Sequence, residues 1–217
     1  PISLTSSCCK VMESIIHDSL SSYLLLNKLI SDHGFLRLRS TLSNLLDSVR
    51  HWLSSLNFGK STDVIYVDFA KAFDSVSHPK LLLKLKSYGI SGKLFSWTSA
   101  WLTGRTQSVK LGSSFSTPKS VLSGILQGSV LGPLLFLLFI NDLIDVLPAE
   151  SHPTLFADDL KIFSDTTPVP IPHLSTSVAS PILQTSLNNL LHWSNLWQLP
   201  MSIPKCSVLS ISNSKLL

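Results

Sequence analysis

Thr154-Leu155-Phe156-Ala157-Asp158-Asp159-Leu160-Lys161-Ile162-Phe163 sets two short apolar runs on either side of an acidic pair. That pattern predicts a β-hairpin with both aspartates at its tip. Its partner lies far upstream. Thr62-Asp63-Val64-Ile65-Tyr66-Val67-Asp68-Phe69 is a nearly continuous β-branched and aromatic run, which reads as a strand buried on both faces and ending at Asp68. If the two apolar segments pair in one sheet, three carboxylates meet.

Carboxylates packed together raise each other's pKa, and a divalent cation is the simplest way to neutralise them. Oxygen donors with no His or Cys beside them in sequence favour Mg²⁺. Two such ions stabilise the attacking and leaving oxygens of a phosphoryl or nucleotidyl transfer. Each piece also has an ordinary reading on its own. Asp68 can cap the turn after its strand, and Asp158-Asp159 can be an exposed turn where Asp bonds locally.

Outward from these strands the chain is mostly helical. Val11, Ile15, Ile16, Leu20, Tyr23 and Leu24 recur at helical intervals within 10–29, and Leu42, Leu45, Leu46, Val49, Trp52 and Leu53 form one stripe within 40–56. Between them runs the basic connector His33-Gly34-Phe35-Leu36-Arg37-Leu38-Arg39, a plausible anion contact. Ser77-His78-Pro79 starts a helix that stops before Gly89, and 91–102 carries another with Trp97 and Trp101. Thr106–Leu111 and Phe115–Leu122 read as strands around Gly112-Ser113-Ser114. The glycine-rich 123–133 leads into an apolar helix through Asp145. Pro168, Pro170 and Pro172 predict an extended loop over 164–180, followed by a helix over 181–198 and a closing strand over 206–211.

Composition narrows the class. Of 217 residues, 44% are hydrophobic and 14% charged, which argues for a packed core and against disorder. The net charge of +4 hints at an anionic partner, and its distribution says more. From Ser75 to Asn141 there is no Asp or Glu, while Lys80, Lys84, Lys86, Lys93, Arg105, Lys110 and Lys119 all fall there. These are either a positive field for a docked polyanion or ordinary solvated faces. Cys8, Cys9 and Cys206 supply neither a disulfide framework nor zinc spacing, so a reducing compartment is expected. The apolar run 131–140 is too short to span a bilayer, and no membrane role is expected. The chain opens on Pro1 without a signal peptide and reads as a piece of something longer.

Three segments in order carry a family resemblance: Val67-Asp68-Phe69-Ala70-Lys71-Ala72-Phe73-Asp74, Leu126-Gln127-Gly128-Ser129-Val130-Leu131-Gly132-Pro133, and Phe156-Ala157-Asp158-Asp159. Together they resemble the palm of a reverse transcriptase, most of all those of non-LTR (LINE-type) retrotransposons. Pro1-Ile2-Ser3-Leu4, Gly34-Phe35, Arg39-Ser40-Thr41, Trp193, Trp197 and Lys205-Cys206 match in order too. The chain departs from the family pattern at Leu38, usually Gly, at Ile203, often Asn, and at Phe156, commonly Tyr.

The resemblance implies an α+β right-hand polymerase palm with partial fingers, its antiparallel sheet packed on helices near 79–88 and 131–145. Residues 1–60 would be partial fingers and 61–217 the palm, with a finger-like insertion near 91–122 and the thumb absent. The implied reaction is RNA-directed DNA synthesis from dNTPs on a primer 3′-OH. Asp68 and Asp158 would hold two Mg²⁺ ions, Mn²⁺ being an alternative, with Asp159 auxiliary. Phe73 would lie under the incoming sugar and exclude a 2′-OH, while Gln127 and Gly128 would meet the nucleotide and template. Arg37 and Arg39 would approach the triphosphate, and Lys205 would protonate the leaving pyrophosphate. Implied partners are an RNA template, a DNA primer, dNTPs, and the thumb and endonuclease regions of a longer polyprotein. The implied location is intracellular, in the nucleus or a cytoplasmic ribonucleoprotein.

Two other classes compete with this reading. A truncated, non-catalytic remnant would keep the fold and bind nucleic acid. A small Mg²⁺-dependent phosphatase would use Asp68 as nucleophile, but such sites commonly want a second acid two residues on, where Ala70 stands.

Overall fold

The computed structural model describes residues 5–30, 41–166 and 180–212. In chain order its elements begin with α1 (Ser7–Leu26), α2 (Thr41–Asn57), β1 (Ser61–Val67), α3 (Ala72–Ser75), α4 (His78–Ser87) and α5 (Gly92–Leu102). Four two-residue strands follow: β2 (Thr106–Gln107), β3 (Lys110–Leu111), β4 (Ser114–Phe115) and β5 (Lys119–Ser120). Then come α6 (Gly132–Ile140), a 3-10 segment (Asn141–Val146), β6 (His152–Phe156), β7 (Asp159–Thr166), α7 (Pro181–Trp197), a second 3-10 turn (Ile203–Lys205) and β8 (Ser207–Ile211). The α+β expectation is borne out. The proline-bearing loop falls largely outside the described residues, and β7 runs on to Thr166 before it.

The chain divides into two compact units, each built from discontinuous segments. One comprises Pro1–Ser31, Lys71–Ile140 and Trp197–Leu199. Its centre is α6, whose residues from Leu134 to Ile140 are all buried, as a helix apolar on every side must be. Helix α4 packs directly against it, and α5 packs against α4. The residue before α1, Ser6, caps that helix by accepting the Cys9 amide, which is why the helix starts three residues earlier than periodicity predicts. Lys84 is not a solvated cation. It is buried, with Nζ 3.8 Å from the Trp197 ring centroid and bonded to the Phe139 carbonyl, so one member of the basic stretch serves the core. The expected pair of strands near 106–122 is broken into β2 with β5 and β3 with β4.

The other unit comprises Asp32–Ala70, Asn141–Leu196 and Pro200–Leu217. Its four-stranded antiparallel sheet has the order β6-β7-β1-β8, with Val64 opposite Phe163 and Val67 opposite Leu160. The tertiary pairing of the two apolar segments is therefore real. The hairpin tip differs from expectation. Its two-residue turn is Ala157-Asp158, with Ala157 at φ 56, and Asp159 already pairs with Phe156 as the first residue of β7.

Helix α2 packs against β1 and β6, but with the opposite face from that predicted. Leu42, Leu45, Leu46 and Leu53 are exposed, whereas Ser48 and Ser55 are buried. The sheet explains the inversion. The face it offers carries Thr62, Lys161 and Asp165, so α2 turns hydrogen-bonding groups inward. Ser55 Oγ donates to Asp165 at 2.7 Å, His51 Nε2 lies 3.0 Å from the same oxygen, and Lys161 Nζ donates to Ser48 at 3.0 Å. Of the predicted stripe, Trp52 meets Phe163 edge-on at 6.1 Å.

Candidate active site

Asp68 leaves the end of β1 and is held there by the segment after α7. Ser202 N donates to the Asp68 carbonyl at 2.7 Å, and Ala70 N donates to Pro200 O at 2.7 Å. This short antiparallel contact carries the 3-10 turn Ile203–Lys205 to the carboxylate. Lys205 Nζ lies 3.0 Å from Asp68 Oδ2. The two are close enough for an ion pair, yet their angle makes no hydrogen bond: Oδ2 is shut from solvent and accepts none.

Asp68 follows directly on the Val67–Leu160 pair, close enough for its charge to act on the Asp159 carboxyl. Asp68, Asp159, Lys205, Lys161 and Tyr66 line a cleft of about 520 Å³, with Thr41 and Asn44 of α2 on its wall. Asp158 stands at the hairpin turn beside them. Partial desolvation first, then the charges of Asp158 and Asp68, hold the Asp159 carboxyl above the usual carboxylate range, while Lys161 pulls it back. Asp159 as a residue is solvent-exposed, so the like charges are the part of that shift a bound cation would relieve. Burial lowers the Lys161 ammonium pKa, and Asp159 opposes that.

Among the described residues no three His, Cys, Asp or Glu form a ready metal-binding cluster. The donors nonetheless suit a hard cation. They are carboxylate oxygens, one of which, Asp68 Oδ2, is buried without a hydrogen bond and has the Lys205 ammonium, 3.0 Å away, as its counter-charge.

The remaining predicted residues lie in the other unit. Phe73 in α3 stacks on Phe136 of α6, centroids 4.2 Å apart and planes 15° from parallel. Gln127 Nε2 donates to Asp74 Oδ1 at 3.1 Å, which gives Asp74 a partner that sequence did not suggest. Gly128 has φ 92, open to glycine and strained for other residues. Lys71, Asp74, Arg105, Gln107 and Gln127 line a second cleft of about 450 Å³ within this unit. Arg37 and Arg39 lie outside the described residues. Sequence reasoning missed Lys161 and Glu13. Lys161 is a charge inside an otherwise apolar strand, which was the available signal, whereas Glu13 lies among other polar residues of its helix and gave none.

Residues 1–215 match the family described as reverse transcriptase (RNA-dependent DNA polymerase). The probable RNA-directed DNA polymerase from transposon BS of Drosophila melanogaster is 30% identical over 211 residues, 94% of this chain and 23% of that protein. The RNA-directed DNA polymerase from mobile element jockey of Drosophila funebris is 28% identical over 222 residues, 99% of this chain and 23% of its own length. The chain thus spans about a quarter of these relatives. Among solved structures, telomerase from Candida tropicalis with a TWJ fragment of telomeric RNA superposes with a TM-score of 0.65 at 12% identity, covering 94% of this chain and 35% of the telomerase. At that identity the likeness is one of fold.

Proposed function

The chain belongs to the reverse transcriptase (RNA-dependent DNA polymerase) family, and from that premise we propose that it synthesises DNA on an RNA template as part of a retrotransposition enzyme. One observation carries the proposal. Asp68 and Asp159 face one cleft from adjacent strands, Asp158 stands beside them, and the buried Asp68 Oδ2 lacks a hydrogen bond. Asp68 and Asp158 would hold two Mg²⁺ or Mn²⁺ ions with Asp159 auxiliary. When bound, such ions neutralise the charge that develops on attacking and leaving oxygens.

The chain's own residues orient the rest. A primer 3′-hydroxyl gives up its proton to solvent and bonds to the α-phosphorus of a dNTP, and the bond to pyrophosphate breaks. Lys205, beside Asp68, gives the departing pyrophosphate its proton. Phe73 excludes a 2′-hydroxyl, Gln127 and Gly128 meet the nucleotide and template, and Arg37 and Arg39 approach the triphosphate. The assignment of 1–60 to fingers and 61–217 to palm with an insertion at 91–122 belongs to the same proposal, as do thumb and endonuclease partners and a nuclear or cytoplasmic ribonucleoprotein setting. No helix among the described residues is long and apolar enough to cross a membrane.

Primer extension on oligo(dT)·poly(rA) with dTTP and Mg²⁺, for this chain and for Asp158→Ala, tests the reading. Extension that the substitution abolishes supports it. No extension by the parent chain, together with salt-sensitive RNA binding that survives Asp158→Ala, would replace it with a non-catalytic nucleic-acid binder.

A further inference from the structure

Glu13 is fully buried in α1, on the same face as Leu20 and Leu24. A carboxylate in such a place needs partners for both oxygens. It has four. Oε2 accepts the Val130 amide at 2.7 Å and the Leu131 amide at 3.3 Å; Oε1 accepts the Trp101 indole at 3.1 Å and the Cys9 thiol at 3.1 Å. Val130 and Leu131 immediately precede α6. There the first amides of the helix have no partner within it and its dipole is positive, so a carboxylate answers both needs.

The two oxygens therefore serve different ends. Oε1 joins α1 to α5 through Trp101, a scaffold contact. Oε2 holds a loop. That loop, 124–131, is fastened at its other end to Asp74: a Cβ on Gly124 would lie 2.9 Å from Asp74 Cα, and Gln127 donates to the Asp74 carboxylate. Within it, Ser129 Oγ donates to Leu126 O at 2.7 Å and accepts the Gly132 amide at 3.0 Å. Gln127 forms part of the Asp74 fastening, and Gly128 stands between it and the Glu13 one.

We propose that Glu13 is a positioning residue for nucleotide addition: by pinning Val130 and Leu131 it holds Gln127 and Gly128 in the geometry that receives the incoming nucleotide. This rests on the polymerase reading above.

The test combines steady-state dTTP addition on oligo(dT)·poly(rA) with amide hydrogen exchange over 124–132, for the whole chain, Glu13→Gln and Trp101→Phe. Glu13→Gln keeps the volume but presents an NH₂ where an acceptor stood. It is expected to raise KM for dTTP about ten-fold while kcat stays within about three-fold, and to speed exchange at Val130 and Leu131. Trp101→Phe removes a donor from the other oxygen, so it lowers Tm and leaves KM unchanged. Should Glu13→Gln not fold, Val130→Pro deletes the shorter bond from the loop side and is expected to give the same KM rise. Unchanged KM and exchange in Glu13→Gln would overturn the proposal, as would equal KM shifts in both variants that follow their loss of Tm. If the parent chain adds no nucleotide, the polymerase reading fails, and exchange alone judges Glu13: faster exchange confined to 126–131 upholds its hold on the loop, and unchanged exchange overturns it.

Discussion

Lys205 Nζ sits 3.0 Å from Asp68 Oδ2, bringing the last 3-10 turn of the described chain onto the end of its first strand. The cation and a metal would compete for one oxygen. Lys205→Met is therefore expected to lower kcat by about a hundred-fold through loss of the proton donor. It is also expected to lower the Mg²⁺ concentration needed for half-maximal binding. Parallel kinetics and calorimetric Mg²⁺ titration would read the two effects; weaker Mg²⁺ binding in the variant would contradict the competition.

Asp158→Ala is expected to cost at least about a thousand-fold in extension, equivalent to ~4 kcal/mol of barrier. Asp159→Asn should also reduce extension, yet raise Tm in chelator at neutral pH. The Asp159 pKa is raised in the fold by desolvation and by Asp158 and Asp68, so its ionised form opposes folding there. Thermal melts in EDTA check the sign, and a lower Tm would refute it.

Phe73 stacks flat on Phe136 at 4.2 Å, which fixes its ring. Phe73→Ala is expected to raise the ratio of ribonucleotide to deoxynucleotide incorporation at least about ten-fold, and to cost about 2 kcal/mol of stability because the ring is half-buried. Incorporation assays with UTP against dTTP measure the first, and denaturant unfolding the second. An unchanged ratio would leave Phe73 a core residue only.

Asp165 is pushed up by burial and, more strongly, down by hydrogen bonds from Ser55, His51 and Thr62, so its carboxyl sits below the usual range. A depressed carboxyl stabilises the fold above its unfolded pKa of about 3.9, and that contribution is lost as pH falls through the lower folded value. Asp165→Asn should cost about 1–3 kcal/mol at neutral pH and flatten the acid limb of the stability profile. Urea unfolding between neutral pH and about pH 3 tests this; an identical acid limb in the variant would count against it.

Much of this protein was legible from local pattern. Alternating and β-branched runs marked β1, β6, β7 and β8, and helical periodicity marked α1, α2, α4, α5 and α7, because each signal is carried by neighbours in the chain. The order of Asp68, Gln127-Gly128 and Asp158-Asp159 was enough to recognise the family. Three things required the tertiary structure. The face of α2 that turns inward depends on Thr62, Lys161 and Asp165, which belong to strands distant in sequence, so periodicity alone pointed to the wrong side. Which aspartate opens β7 depends on a two-residue turn, since one residue of register moves every side chain to the other face. And Glu13, one of only two glutamates in the chain, resembles a solvated helix residue until α5 and the approach to α6 close over it. A charge is buried only where distant segments bring the donors that satisfy it, and those donors are known only from the fold.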